Sequence, residues 1–306
     1  MKVTKPLLHF AAGTVAGILI ISQLAFRNEI EKNQSDNTPP QWHIPQTPTS
    51  MTFADEKVPL NRWDVEERFD RELLFIYYQT SNIIFIKKLA NRYFPVIEER
   101  LKANGVPDDF KYLCVAESNL QHAISRVGAV GFWQFMSYTA PGYNLNVNKE
   151  VDERYHVEKA TDAACKYLKA AYAKFGTWTA AAASYNCGQG GYQKQSTIQQ
   201  TSHYYDLQLP EETNRYIFRI LSFKYLLENP EKMGFSLSAE DLYKPFSGRS
   251  VEVNESIPNL AQFAKENGTT YQMLKRLNPW LRSTSLTVAS GKSYTILLPP
   301  INEVEE

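Results

Sequence analysis

From about residue 60 to 235 the apolar residues recur at the helical period, and nowhere in that stretch do they alternate as in a strand. This constrains the fold more than any other feature. A stripe at period 3.6 buries one side of a cylinder, and other helices must cover it. The middle of the chain is therefore expected to be an all-α body. Val65, Phe69, Leu73, Ile76 and Tyr77 mark a helix over 64–78. Thr80 or Ser81 is placed to cap a second helix, which runs to about Asn104 and is closed by Gly105. Pro107, with Asp108 and Asp109 in the first turn, opens a third helix that ends near Glu117. The clearest amphipathic pattern covers 158–175, with Ala160, Ala163, Ala164, Tyr167, Leu168 and Ala171 on one face and Gly176 as the stop. Thr177 can cap a short Ala-rich helix over 178–184, and Pro210 starts another that stops before Pro230.

The pattern changes at both ends. After about 240, Arg249 to Val253 alternates like a strand, helices follow over 258–267 and 271–277 (the second capped by Thr269), and 293–298 reads as a second strand before Pro299. This β-α-α-β unit of about 50 residues is near the lower limit for folding alone. Residues 27–58 carry Pro39, Pro40, Pro45 and Pro48 without apolar periodicity and read as a flexible tether. Residues 6–26 are uncharged and largely apolar, and Lys2 and Lys5 precede them. A run of about 20 such residues can span a bilayer with the N-terminus inside. The small-residue motif of a good cleavage site is missing, so an uncleaved anchor is favoured over a cleaved signal peptide. Either one exports the rest of the chain. The expected division is therefore 1–26 anchor or signal, 27–58 tether, 59–239 helical body and 240–300 terminal module.

Lys plus Arg and Asp plus Glu both number 33, so the net charge is zero. Nucleic acid held by bulk electrostatics is excluded as a partner. Cys114, Cys165 and Cys187 read as small buried hydrophobes, with one disulfide and a leftover thiol as the alternative. The five His show no metal-ligand spacing.

The chemistry concentrates around Glu117. It ends an apolar helical run in Ala116-Glu117-Ser118-Asn119, and Gly128, Gly131, Trp133, Gln134 and Met136 follow at close spacing. Tyr185-Asn186-Cys187-Gly188 reads as a turn further on. A carboxyl at a helix C-terminus has its pKa raised by the dipole, as a general acid requires. The glycines suit a backbone bent tightly around a ligand. Glycosidases usually place two carboxylates about 5–9 Å apart. The next acids here, Glu150, Asp152 and Glu153, lie outside the motif. A single-acid mechanism is the simpler reading: the substrate supplies its own nucleophile, and Glu117 acts first as acid and then as base.

Four ordered blocks resemble the soluble-type (family 1) lytic murein transglycosylases of lysozyme-like fold, and among them the membrane-bound transglycosylase D group. The blocks are Glu117-Ser118-Asn119, Ser125 through Met136, Ala183 through Gly188, and Leu209 through Tyr216. The likeness covers about residues 85–235. It implies a lysozyme-like all-α catalytic domain acting on peptidoglycan glycan strands. The bond cut would be the MurNAc-β-1,4-GlcNAc link, cleaved without water to leave 1,6-anhydromuramyl ends. Residue by residue, it implies Glu117 as acid/base and Ser125, Gln134 and Met136 along the cleft. Tyr185, Asn186 and Glu212 would position the sugar or the acid, with Tyr216 in support. Ser184 and Arg126 stand where the family usually has Ala and Pro. No metal or cofactor is implied. The terminal unit resembles a LysM peptidoglycan-binding module in which Asn254-Glu255-Ser256 replaces the usual Gly-Asp-Thr. It is expected to add wall affinity, so that removing it should leave cleavage of soluble fragments nearly intact. The implied location is the cell envelope, on the periplasmic side. A muramidase on the same fold and a non-catalytic wall-binding scaffold are the alternatives.

Overall fold

The computed structural model describes residues 44–234 and 236–301. The expected anchor lies outside the described residues, as does residues 27–43 of the expected tether. Among the described residues no helix is long and apolar enough to cross a membrane.

Among the described residues seven helices build the body: α1 (Trp63–Tyr77), α2 (Thr80–Ala103), α3 (Phe110–Ser118), α4 (Val157–Phe175), α5 (Trp178–Cys187), α6 (Gln189–Gln199) and α7 (Glu211–Glu228). α7 is central and packs on α1, α3 and α5, while α4 packs between α2 and α5. The periodic residues face inward as expected: Val65, Phe69 and Leu73 of α1 and Ala160, Ala164 and Leu168 of α4 are fully buried. Ala180 to Ala183 are also fully buried, and their small side chains let α5 sit against its neighbours on every side. Glu72 of α1 is buried and accepts from the Arg215 Nε at 2.5 Å, which fixes the register of α1 on α7.

Several local expectations are corrected. Thr80 is the first residue of α2 rather than its cap, and its hydroxyl donates back to the Tyr77 carbonyl at 3.1 Å. Thr177 does cap α5, accepting from the Ala180 N–H. Residues 45–58 are not a tether. β1 (Thr52–Phe53) and β2 (Glu56–Lys57) form an antiparallel hairpin, turned by Ala54 and Asp55 at positive φ. Phe53 and Val58 are buried in the main core. The Glu56 carboxylate accepts from the Trp178 and Thr179 N–H groups at 2.5 and 2.9 Å, satisfying open donors at the start of α5.

The terminal unit has the expected β-α-α-β order: β3 (Arg249–Val253), α8 (Leu260–Glu266), α9 (Tyr271–Leu277) and β4 (Tyr294–Leu298), with β3 and β4 antiparallel. The cap of α9 is Thr270 rather than Thr269. Asn278, buried at the end of α9, donates to the Leu274 and Leu297 carbonyls and accepts from the Leu297 N–H, tying α9 to β4. This unit is not a separate bead. Its core of Val253, Leu260, Leu274, Trp280, Leu281, Leu286, Ile296 and Leu298 also contains Val130, Val151 and Tyr155 from the body. A groove of about 590 Å³ runs along the junction, walled by Tyr93, Phe246 and Tyr294 among others.

Candidate active site

Glu117 sits in the last turn of α3. The helix ends because Asn119 and Leu120 both turn left-handed, at φ 53° and 57°, directing the chain away from the axis. The carboxyl thus reaches a cavity of about 390 Å³ lined by residues 116–119 and 121–123. Part of the residue is open to that cavity, yet the protein around the carboxyl withholds hydration. Its pKa rises from 4.5 to about 7. Burial is the largest cause. The hydrogen bond from Tyr216 and the charge of Arg219 pull the other way, and the charge of Glu212 adds to the rise. Burial is what an acid that must hold its proton near neutral pH requires.

Tyr216, fully buried on α7, donates its hydroxyl to the Glu117 Oε1 in a short hydrogen bond. Among the described residues this is the only hydrogen bond to that carboxyl, which leaves Oε2 without one and able to carry a proton. Arg219 lies three residues after Tyr216 on the same helical face. It was missed at the sequence level although the spacing marks it.

The remaining expected residues divide into two groups. Asn186 and Glu212 are joined: the Asn186 Nδ2 donates to Glu212 at 3.5 Å, and Thr213 donates to the Asn186 Oδ1 at 2.7 Å. Tyr185 is half-buried, and its hydroxyl donates to the Trp133 carbonyl at 2.8 Å, so it holds the cleft loop from α5. Tyr185 and Asn186 do not form a turn. They belong to the last turn of α5, and the chain leaves the helix only at Gly188, at φ +76°. α6 begins one residue later and was not expected.

Ser125, Gln134 and Met136 lie on the loop between α3 and α4. The Ser125 Oγ accepts from the Ala129 N–H at 2.9 Å, closing a local turn. Gln134, left-handed at φ 49°, donates its amide to the Gly131 and Ala123 carbonyls at 2.7 and 3.2 Å. It therefore ties the loop to Ala123 on the wall of the cavity. Met136 is half-buried, and its carbonyl starts the following turn by accepting from Thr139 and Ala140. None of these three side chains lines the cavity at Glu117 itself. Trp133 is no sugar platform: it is fully buried, with its indole N–H on the Thr161 Oγ1 at 2.9 Å. Tyr138, which the motif reading passed over, is the exposed aromatic of this loop at 77%. The glycine-bent loop is held from within by one arginine. Arg154 is buried and donates to the Gly128 and Phe135 carbonyls, and any Cβ at Gly131 would collide with the Arg154 carbonyl oxygen. Cys114, Cys165 and Cys187 are all free thiols, so the disulfide alternative is not realised.

Residues 94–208 match the transglycosylase SLT domain, and residues 249–302 match the soluble lytic transglycosylase C-terminal LysM-like domain. The chain carries a lysozyme-like SLT domain followed by a small LysM-like module. It is 27% identical over 215 residues to the membrane-bound lytic murein transglycosylase D of Escherichia coli strain K12, an alignment covering 68% of this chain and 46% of that protein. The protein of the same name from Escherichia coli O6:H1 strain CFT073 gives the same figures. The chain thus spans about half the length of the curated relatives it matches. Glu117, the cleft loop and α5 fall inside the SLT match, whereas Glu212, Tyr216 and Arg219 on α7 lie beyond its end.

Proposed function

We propose that this chain is a peptidoglycan lytic transglycosylase. It cleaves the MurNAc-β-1,4-GlcNAc bond without water and leaves 1,6-anhydromuramyl ends. The observation that carries the reading is Glu117: a desolvated carboxyl with a pKa of about 7, one oxygen bonded by Tyr216, in a residue that lines a cavity. Such a group holds a proton near neutral pH and gives it to the leaving glycosidic oxygen. The resulting carboxylate then accepts the proton of the sugar's own hydroxyl as that oxygen closes on the anomeric carbon. One group thus serves both steps. Tyr216 donates throughout, and Arg219 steadies the anion between them. Asn186 holds Glu212 near enough for its charge to resist ionisation of Glu117, which keeps the acid form populated.

In this reading Gln134 fixes the cleft loop against Ala123, while Ser125 and Met136 shape its two ends. Tyr138 offers the exposed aromatic face that a sugar ring needs. A polymer requires a surface longer than one cavity. His122 borders both the cavity at Glu117 and the aromatic groove at the LysM-like module, so the two adjoin. The Escherichia coli relatives are named membrane-bound, and the apolar run at 6–26 would anchor this chain likewise, with the SLT domain on the periplasmic side of the cell envelope.

The test is the mass of products from purified sacculi. Anhydro ends, lighter by one water than reducing ends, are expected. Reducing muramic acid ends would assign the chain as a muramidase, and no turnover would leave it a wall-binding protein.

A further inference from the structure

The junction between the two domains is built around one stretch of chain, residues 150–155. On its outer side it belongs to the LysM-like module. The Glu150 carbonyl accepts from the Arg282 N–H at 2.7 Å, and the Asp152 N–H donates to the Trp280 carbonyl at 2.9 Å. The Glu150 carboxylate accepts from the Ser285 hydroxyl at 2.6 Å and the Thr287 N–H at 2.8 Å. Val151 pairs with Leu281, and the Arg282 guanidinium lies 4.2 Å from the Tyr155 ring centre. Val151 and Tyr155 are buried in the module's own core.

On its inner side the same stretch holds the cleft loop. Asp152 and Arg154 are each 7% exposed and form a two-pronged pair, with Nε and Nη2 on the two carboxylate oxygens at 2.9 and 2.7 Å. The remaining nitrogen of Arg154 donates to the Phe135 carbonyl at 3.1 Å and the Gly128 carbonyl at 3.4 Å. Those carbonyls are the two ends of the bend that carries Gln134. Gly131, at the middle of the bend, packs so closely on the Arg154 main chain that no Cβ fits. Asp152 is therefore held by the module through its N–H and by Arg154 through its carboxylate. A buried two-pronged pair of this kind has one good geometry, and a shift of one partner is passed to the other.

We propose that the LysM-like module braces the cleft: it fixes residues 150–155 and, through the Arg154 guanidinium, the Gly128–Phe135 loop beside Glu117. Arg154 is then a positioning residue, through which the module acts on the cleft apart from any glycan that its groove holds. The kinetic part of the test rests on the transglycosylase reading, whereas the exchange part does not.

The test uses the full chain, with hydrogen exchange followed peptide by peptide and turnover measured on soluble glycan fragments. Glu150→Ala removes the two bonds to Ser285 and Thr287 without touching the buried core. Amide exchange over 128–136 should rise about tenfold while α3 and α7 keep their protection, and kcat should fall about tenfold with KM little changed. Glu150→Gln keeps one acceptor and should give about half the effect on a logarithmic scale. Arg154→Lys keeps the charge but loses the fork, and it should loosen the loop while residues 281–287 stay protected. Unchanged loop exchange in both Glu150→Ala and Arg154→Lys overturns the brace, and so does a rise spread evenly over the whole body. If the wild-type protein cleaves nothing, the transglycosylase reading fails, and loop exchange alone still decides the brace.

Discussion

Glu117→Gln separates chemistry from stability with a sign that depends on pH. The amide keeps the size of the carboxyl and can still accept from Tyr216, but it can neither give nor take the catalytic proton. Proton transfer by a positioned group is worth about 10²–10⁴-fold, and turnover on sacculi should fall by at least that much. The structure also sets the stability change. Glu117 titrates at about 7 when folded, against 4.5 for the free group. Between those values the folded state keeps a proton that the unfolded chain has lost. The contribution of Glu117 to stability is therefore greatest below about pH 4.5, falls as pH rises to about 7, and is flat above that. The full conversion is about 3 kcal/mol, and because the side chain is partly open to solvent the working figure is roughly 1–3 kcal/mol. The neutral amide avoids this penalty. The variant should melt with the wild type at pH 4 and about 2–10 °C above it at pH 8. Differential scanning calorimetry at the two pH values measures the gap. A variant no more stable than wild type at pH 8, or one with full turnover, would refute the desolvated-acid argument.

The pH dependence of turnover should show a falling limb near pH 7, because Glu117 must be protonated to act. Tyr216→Phe removes the bond that holds the Glu117 pKa down, so that limb should move to higher pH while the rate at its plateau drops; a limb that stays in place would remove Tyr216 from the acid's shell. Glu56→Ala strips the Trp178 and Thr179 N–H groups of their acceptor and should cost about 1–2 kcal/mol in urea unfolding, with the m-value unchanged. Gly131→Ala must place a Cβ against the Arg154 carbonyl at φ +83°. A loss of more than about 1 kcal/mol is expected, together with weaker turnover on soluble fragments.

Helices α1, α2 and α4 were legible because each buries a periodic stripe. β3 and β4 were legible because they alternate. α6 was not, since Gly190 and Gly191 at its start carry no helical signal and only Tyr192 and Ser196 are buried. The β1–β2 hairpin was hidden for a different reason: two residues per strand are too few to show a period. Within the site, Glu117 was legible as an acid at a helix end, but its partner Tyr216 is 99 residues away and was reachable only through the resemblance. Arg154 could not be found at all. It lies in an irregular stretch, and its role depends on which carbonyls the fold brings to it.

The shared core changes what removal of the LysM-like module should do. The sequence reading treated residues from about 240 onward as an affinity tag whose loss leaves the body intact. In the structure Val130, Val151 and Tyr155 are at most 5% exposed because the module covers them. Burying each is worth about 1.5–3 kcal/mol, or roughly 5–9 kcal/mol together, an upper figure because the exposed loop can relax. Domains of this size are stable by about 5–15 kcal/mol, so even half of that loss is severe. A chain ending at residue 240 should melt at least about 10 °C below the full chain and bind a hydrophobic dye at the uncovered face. Alternating Val151→Thr and Leu281→Thr in the full chain should each reproduce part of the drop, since one side chain comes from each domain. A truncated protein that melts within about 3 °C of the full chain would show that the junction contributes little, and the module would return to being a passenger on the SLT domain.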